Sequence, residues 1–241
     1  MLDRPAEAPQ ERQVVGLAAQ PVHVHQRVVH IPEHQNPVHA VQRSRNRHNV
    51  VMGEIMVVRH GETEWSAAGR HTSTTDLELT PQGEADARAL TRVLANRPFV
   101  AVLSSPRRRA LRTAELAGLT VTEVDQDAVE WDYGDYEGRT TADIRTEAPD
   151  WDLWRDGGPG GETPDQVTVR LDRFLAKLRP MLALGDVAVV THGHAARALA
   201  ARWVEQPVAF GAHLTLGTAT LSVLGHEHET PSLRMWNAPP A

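Results

Sequence analysis

Two stretches of the chain run from unbroken apolar residues into a histidine and a glycine. They are Ile55-Met56-Val57-Val58-Arg59-His60-Gly61-Glu62-Thr63 and Val187-Ala188-Val189-Val190-Thr191-His192-Gly193. Each apolar run reads as a strand buried on both faces. Polar side chains just past the carboxyl end of such a strand lie where open α/β sheets bind ligands. His60 stands between an obligate cation, Arg59, and a glycine, Gly61, that lets backbone come close. An imidazole so placed has the character of a nucleophile toward a phosphate group. The two histidines lie about 130 residues apart, and two such strands can deliver them to one crevice.

Two further stretches carry charge in suggestive places. Arg107, Arg108, Arg109 and Arg112 fall on one basic helix, about 106–117, of which only one face can reach a crevice. The rest are expected to be solvated. Residues 130–138, Glu-Trp-Asp-Tyr-Gly-Asp-Tyr-Glu-Gly, are acidic, aromatic and broken by glycine, which reads as a loop on a rigid scaffold.

The elements that must hold these residues alternate between strand and helix. A strand at about 54–59 leads into a polar loop, 65–73. Thr80-Pro81 opens a helix as N-cap and first helical residue, with an expected apolar face of Ala85, Ala89, Val93 and Leu94. Strands come next at 100–103 and near 121–124, and 151–161 reads as a Trp-, Asp- and Gly-rich connection. Thr163-Pro164-Asp165-Gln166 is a capping box opening the longest helix. Its stripe of Val167, Leu171, Phe174, Leu175, Leu178 and Leu182 has core spacing. The strand at 187–191 is succeeded at once by an alanine-rich helix, about 194–204, whose free N–H groups face the region of His192. Late strands near 218–224 and 232–236 complete the set. This order implies an α/β fold: a three-layer α/β/α sandwich with a mainly parallel central sheet.

Composition narrows the function classes. With 23% charged and 41% hydrophobic residues, the 241-residue chain is ordinary for a soluble globular protein. A formal net charge of −6 gives no electrostatic support to nucleic-acid binding. The chain has no cysteine, which removes disulfides, thiol catalysis and cysteine-based zinc sites. No apolar run approaches the roughly 20 residues of a membrane span. The apolar stretch Val14-Val15-Gly16-Leu17-Ala18-Ala19 is too short for a secretory signal, so a cytoplasmic location is expected.

Residues 1–51 differ in composition from the remainder of the chain. They hold six of the thirteen histidines (His23, His25, His30, His34, His39 and His48) and no aromatic residue. Their valines show no sustained period, so they bury little apolar surface and read as a disordered extension. His23 and His25 have the spacing of a metal-binding pair, but no scaffold would present them. Translation from Met52, immediately before the first strand, is the favoured alternative, with 52–241 as the folded domain.

Taken together, the motifs resemble the histidine phosphatase superfamily, also called phosphoglycerate-mutase-like. Arg59-His60-Gly61-Glu62-Thr63 matches its signature, and Ser105-Pro106-Arg107-Arg108-Arg109-Ala110-Leu111-Arg112-Thr113-Ala114 its second motif. Glu130 ahead of Tyr133-Gly134-Asp135-Tyr136-Glu137-Gly138 matches the acid-bearing loop, and Thr191-His192-Gly193 the late histidine motif. The resemblance covers 52–241 in the family's order. It implies that His60 is a nucleophile forming a phosphohistidine, with its charged form disfavoured between Arg59 and Arg109. Those arginines would offer planar donor forks to phosphate oxygens, and His192 a further donor to the transferring group. Glu130 would be the general acid, and a carboxyl facing a phosphate dianion keeps its proton, so activity is expected to favour mildly acidic pH. No metal and no other cofactor is called for. Asp132, Asp135 and Glu137 read as solvated loop carboxylates.

Within the family, Ser66 stands where many relatives carry asparagine, and it reaches less far toward phosphate. Trp65-Ser66 with Gly69, His71-Thr72 and Thr75-Asp76 is similar to a subgroup of acid phosphatases and sedoheptulose-bisphosphatase-like enzymes. Ser66, His71 and Thr72 are therefore substrate-side candidates, with Gly61 and Gly193, although a structural loop fits His71 and Thr72 equally. A phosphoglycerate mutase must keep water off the phosphohistidine with a covering segment and extra cations. Here Trp131 comes directly after Glu130, and in 139–162 Asp143, Glu147, Asp150, Asp152 and Asp156 outnumber Arg139, Arg145 and Arg155. Hydrolysis of a small-molecule phosphate ester is the favoured reaction, a mutase the alternative, and an inactive phosphate-binding module the remote one. Nothing in the sequence sets the oligomeric state.

Overall fold

The computed structural model describes residues 52–240 apart from Ala95. The expectations for 1–51 lie outside the described residues. In chain order the elements begin with β1 (Ile55–Arg59), α1 (Glu64–Ala67), α2 (Pro81–Ala89), α3 (Thr91–Leu94), β2 (Phe99–Ser104), α4 (Arg108–Leu116) and β3 (Glu123–Val124). They continue with α5 (Thr141–Glu147), α6 (Leu153–Asp156), α7 (Pro164–Leu178), β4 (Asp186–Thr191), α8 (Gly193–Trp203), β5 (Leu221–Glu227) and β6 (Thr230–Ala238). The six strands form one sheet in the order β3-β2-β4-β1-β5-β6. Pairings β3–β2, β2–β4 and β4–β1 are parallel, and the β1–β5 and β5–β6 pairings are antiparallel. The sheet is thus mainly parallel, as expected.

Strand alternation splits the core in two. Ile55, Val57, Val187 and Val189 face one apolar cluster, which contains the α7 stripe, Trp131, Trp154, Leu199 and Trp203. Met56, Val58, Ala188 and Val190 face the other, with Leu90, Leu94, Ala110 and Ala114. Helices therefore cover both faces, which is why β1 and β4 read as continuous apolar runs. The capping box of α7 is formed by Thr163 and Gln166, and the whole expected stripe is buried, although α7 ends at Leu178 and Leu182 lies in a separate turn beyond it.

Two expectations need correction. The buried residues of α2 and α3 are Gly83, Ala87 and Leu94, with Leu90 buried at the C-cap between them, whereas Ala85 is exposed and Val93 is 42% exposed. Apolar side chains alone misphase this helix, because it docks through a glycine. A Cβ on Gly83 would lie 2.2 Å from the Glu62 carbonyl oxygen, and one on Gly61 would lie 2.5 Å from the Gly83 oxygen. The second correction concerns 151–161, which holds α6 rather than a plain connection, and α5 lies ahead of it in a stretch for which the sequence predicts no element. Their starts are capped by Thr140 with Asp143 and by Asp152, polar signals that a reading by apolar period passes over. No helix among the described residues is long and apolar enough to cross a membrane.

The backbone contact between Gly61 and Gly83 fixes the residues after β1 against α2. Gly83→Ala gains about 1 kcal/mol in helix propensity, but its Cβ meets unyielding main chain, and such overpacking costs about 1–3 kcal/mol. Thermal denaturation should show a lower Tm for Gly83→Ala, and a raised Tm would contradict this packing.

Candidate active site

Register brings the two histidines together. Arg59 of β1 is the pairing partner of Thr191 of β4, so the residue after each leaves the same edge of the sheet. The His60 N–H donates to the Thr191 carbonyl at 2.9 Å, and the two imidazole centroids stand 5.1 Å apart.

His60 is 5% exposed, and its Nδ1 donates to the Gly61 carbonyl at 2.7 Å. That bond fixes the tautomer and leaves the Nε2 lone pair unprotonated. Burial, then the charges of Arg109 and Arg59, hold its pKa well below the usual histidine value. The imidazole is neutral at neutral and mildly acidic pH.

His192 is fully buried at the N-cap of α8. Its Nδ1 accepts from Arg109 Nε at 3.2 Å, so Nε2 carries the proton and donates to Ser105 Oγ at 2.7 Å. The N–H expected to meet a phosphoryl group is thus engaged by a serine. Its pKa is also well below normal, through burial first and then Arg109, His60, Arg107 and Arg59.

The guanidinium of Arg109, also fully buried, is committed to the protein. Beyond His192 it donates to the carbonyls of Thr75 at 2.9 Å and of Thr72 and Ser73 at 3.2 Å. Arg109 therefore acts by charge and by holding the 72–75 turn, rather than as an open fork. The carboxylate of Glu137 grips the same turn, accepting from Ser73 N and Thr75 N at 2.9 Å and from Ser73 Oγ at 2.7 Å. It is a clamp, not the solvated carboxylate expected.

Arg59 differs from Arg109. Its Nη1 donates to the Leu216 carbonyl, while its Nε is buried with no partner among the described residues. Buried donors without acceptors are rare, and this one suits an anionic ligand atom. Gly193 lies against it, since a Cβ there would be 3.3 Å from the Arg59 Cζ. Arg107 too has a buried Nε with no partner among the described residues, although the helical reading of 106–117 puts it on the solvated face. It sits at the N-cap of α4 with extended backbone, φ −70° and ψ 136°, and so lies outside the helical phase.

Glu130 is 5% exposed and accepts three backbone N–H bonds: from Trp131 at 2.9 Å, Ala195 at 2.7 Å and His194 at 3.1 Å. Beside it the Tyr133 hydroxyl stands 2.7 Å from His194 Nδ1. Burial and the Glu130 charge push that phenol well above its usual pKa, so it is neutral.

A cavity of about 230 Å³ opens onto this group, and Arg59, His60, Glu130 and Gly193 are among the residues that line it. Ser66, Gly69, Arg70, His71, Thr72, Tyr133, Thr141, His194, Arg197 and Leu216 complete the wall. Three arginines against one carboxylate make it cationic, and burial keeps His71 and His194 neutral. Arg197 is braced by the Gly211 and Ala212 carbonyls and lies over the Trp154 ring at 4.7 Å.

Among the expected substrate-side residues, His71, Thr72, Ser66 and Gly193 line the cavity and Gly61 does not. The Ser66 hydroxyl is engaged in the capping of α1 by the Thr63 N–H and carbonyl, at 2.9 and 3.1 Å. The Gly61 N–H donates to Thr113 Oγ1 at 2.9 Å, so the backbone approach it allows is that of α2. Tyr133, His194 and Arg197 carried no expected role. His194 was visible as the second histidine of His192-Gly193-His194, but Arg197 has no signal beyond its place one turn after Gly193 on α8. No cluster of metal-ligating side chains occurs among the described residues.

Residues 55–239 match the histidine phosphatase superfamily, branch 1. The chain is 45% identical over 176 residues to an acid phosphatase of Mycobacterium tuberculosis, covering 72% of this chain and 87% of that protein. It is 37% identical to the sedoheptulose 1,7-bisphosphatase of Saccharomyces cerevisiae, over 61% of this chain and 66% of the yeast protein. A 2,3-bisphosphoglycerate-dependent phosphoglycerate mutase of Cytophaga hutchinsonii is 32% identical over 60% of this chain and 74% of its own length. A solved structure of a Mycobacterium tuberculosis open-reading-frame product superposes with a TM-score of 0.76 at 42% identity, covering 78% of this chain and 99% of that one.

The buried neutral histidines tie stability to pH. Burial lowers the His71 pKa from 6.5 to about 4, so between these values the unfolded chain takes up a proton that the folded chain refuses. Stability falls as pH drops through that window. His71→Phe should flatten the decline by up to ~1.4 kcal/mol per pH unit. Chemical denaturation at stepped pH measures it, and an unchanged slope would contradict burial of a neutral imidazole.

Proposed function

The chain belongs to the histidine phosphatase superfamily, and from that footing we propose that it is a cytoplasmic phosphatase of small-molecule phosphate monoesters. The observation that carries this reading is a neutral imidazole whose Nε2 has no hydrogen bond among the described residues, beside a buried guanidinium Nε–H that has no acceptor among them either. A phosphoryl group seated there meets a nucleophile and a cation together, and phosphoryl transfer depends chiefly on position and charge neutralisation.

In the first step His60 Nε2 attacks phosphorus, the P–O bond to the alcohol breaks, and protonated Glu130 gives its proton to the departing oxygen. In the second, water attacks the phosphohistidine, the N–P bond breaks, and the Glu130 carboxylate takes the water proton. Arg59 neutralises the phosphoryl oxygens. Arg109 holds His192 and the 72–75 turn and adds its field. Burial first, and then the charges of Arg109 and Arg59, lower the His60 pKa, so mild acid does not silence the nucleophile, while it favours the acid form that any proton-donating carboxyl must have. The pH–rate profile should therefore peak on the acidic side of neutrality, and a rate rising steadily into the alkaline range would contradict the role of Glu130.

Hydrolysis is favoured over mutase chemistry by the segment beyond the acid loop. Arg139 pairs with Glu147, Arg145 donates to the Trp151 carbonyl and Arg155 pairs with Asp156, so its cations are engaged within the segment itself. Nothing there supplies the extra charge that would retain a reorienting phosphoglycerate. A panel of aryl phosphate, phosphoglycerates and sugar mono- and bisphosphates, read by phosphate release, tests the proposal. Wild-type protein should release phosphate and His60→Ala should lose more than about 10³-fold in kcat/KM. Rapid isomerisation of 3-phosphoglycerate with its bisphosphate primer, without phosphate release, would favour the mutase instead.

A further inference from the structure

The loop that carries Glu130 hangs on one ion pair outside the cavity. Arg170, on α7, is 8% exposed, and each of its guanidinium nitrogens is engaged. Nε and Nη2 donate to the two carboxylate oxygens of Glu162, both at 2.7 Å. Nη1 donates to the carbonyls of Asp127 at 2.8 Å and Val129 at 3.1 Å, just ahead of Glu130. Glu162 holds the chain just after it. Its Oε2 accepts from the Asp132 N–H at 3.0 Å, its own N–H donates to the Asp132 carbonyl at 2.9 Å, and its carbonyl accepts from Trp131 Nε1 at 2.9 Å. Glycines let the connection from α6 to α7 come this close. A Cβ on Gly161 would lie 2.3 Å from the Asp132 carbonyl oxygen, and one on Gly158 2.2 Å from that of Tyr133.

The other end of the pair is equally fixed. Val167, Leu171 and Phe174 of α7 share an apolar cluster with Leu199 and Trp203 of α8. The first turn of α8 supplies the His194 and Ala195 N–H groups that reach the Glu130 carboxylate, at 3.1 and 2.7 Å. Arg170 therefore ties the loop to the packed unit that holds the carboxylate itself. A buried ion pair is a poor source of stability, because desolvation offsets its attraction. What a two-pronged arginine–carboxylate contact adds is a fixed direction. The neighbouring pair of Arg173 with Asp127 lacks this character, since the Arg173 side chain is 63% exposed.

We infer that Arg170 and Glu162 are positioning residues for protonation of the leaving group: they aim Glu130 at the departing oxygen without touching substrate. Neither is among the residues that line the cavity. A general acid must stand within hydrogen-bond reach of the atom it protonates, and a misplacement of about 1 Å can cost about 10²-fold in rate. This inference rests on the phosphatase reading and its role for Glu130, and goes beyond it in naming what aims that group.

Leaving-group dependence separates aim from mere stability. An alkyl phosphate expels a strongly basic alkoxide and needs the acid, whereas dinitrophenyl phosphate expels a stable phenolate and does not. For both esters kcat/KM covers formation of the phosphohistidine, the step in which the alcohol leaves. Glu130→Gln is the reference, and should lose about 10²-fold or more on glycerol phosphate relative to dinitrophenyl phosphate. Arg170→Met should shift the same ratio by at least about tenfold, and Arg170→Lys and Glu162→Gln should shift it in the same direction. Arg173→Met should leave it unchanged. Thermal denaturation of each variant confirms that it is folded at the assay temperature, and if Arg170→Met is not, the two milder variants carry the test. Equal losses on both esters in folded Arg170 and Glu162 variants, with the split retained in Glu130→Gln, would overturn the positioning role alone. Equal losses in Glu130→Gln would remove its acid role and this inference together, and no hydrolysis of either ester by wild-type protein would remove the phosphatase reading.

Discussion

Parallel pairing of β1 with β4 is the constraint from which the site arises. Arg59 opposite Thr191 puts His60 and His192 at neighbouring strand ends, with imidazole centroids 5.1 Å apart. A slip of one residue would turn every side chain of β1 to the other face, burying Met56 and Val58 in the wrong cluster. Core packing on both faces therefore specifies the register, and the register specifies the site. The energy that orders the candidate site residues comes from the apolar clusters on the two faces of the sheet.

Burial then sets the chemistry. Cationic guanidiniums and neutral imidazoles coexist because desolvation and the arginine charges both oppose protonation of the histidines. Arg109 supports this from beneath, with its fork on three carbonyls and His192, while Arg59 keeps an unpartnered Nε–H. Two arginines that the motifs treat alike thus divide the work: one braces the turn and the second histidine, the other is available to a ligand.

The sequence made the strands legible, because an apolar run ending in His-Gly is both a two-sided buried strand and a polar tip. The α7 stripe was equally legible from its period and capping box. The face of α2 was not, since Gly83 contributes burial without a side chain and shifts the apparent phase. Hydrogen-bond commitments were hidden for a similar reason. Ser66, Gly61 and Glu137 have residue types suited to ligands, solvent or turns, and only the folded backbone shows that each already has partners. Arg107 escaped because a residue just ahead of a helix does not keep its period, and Arg197 because the ring that braces it, Trp154, belongs to a distant segment.

Everything in the mechanism turns on whether His60 carries the phosphoryl group during turnover. Rapid acid-free quenching of the protein with a ³²P-labelled ester, then peptide mapping, tests this most directly. Alkali-stable, acid-labile label is expected on the peptide containing His60, formed and lost within turnover and lacking in His60→Ala. Label on another residue, or full turnover with no phosphorylated protein at any time, would contradict that role.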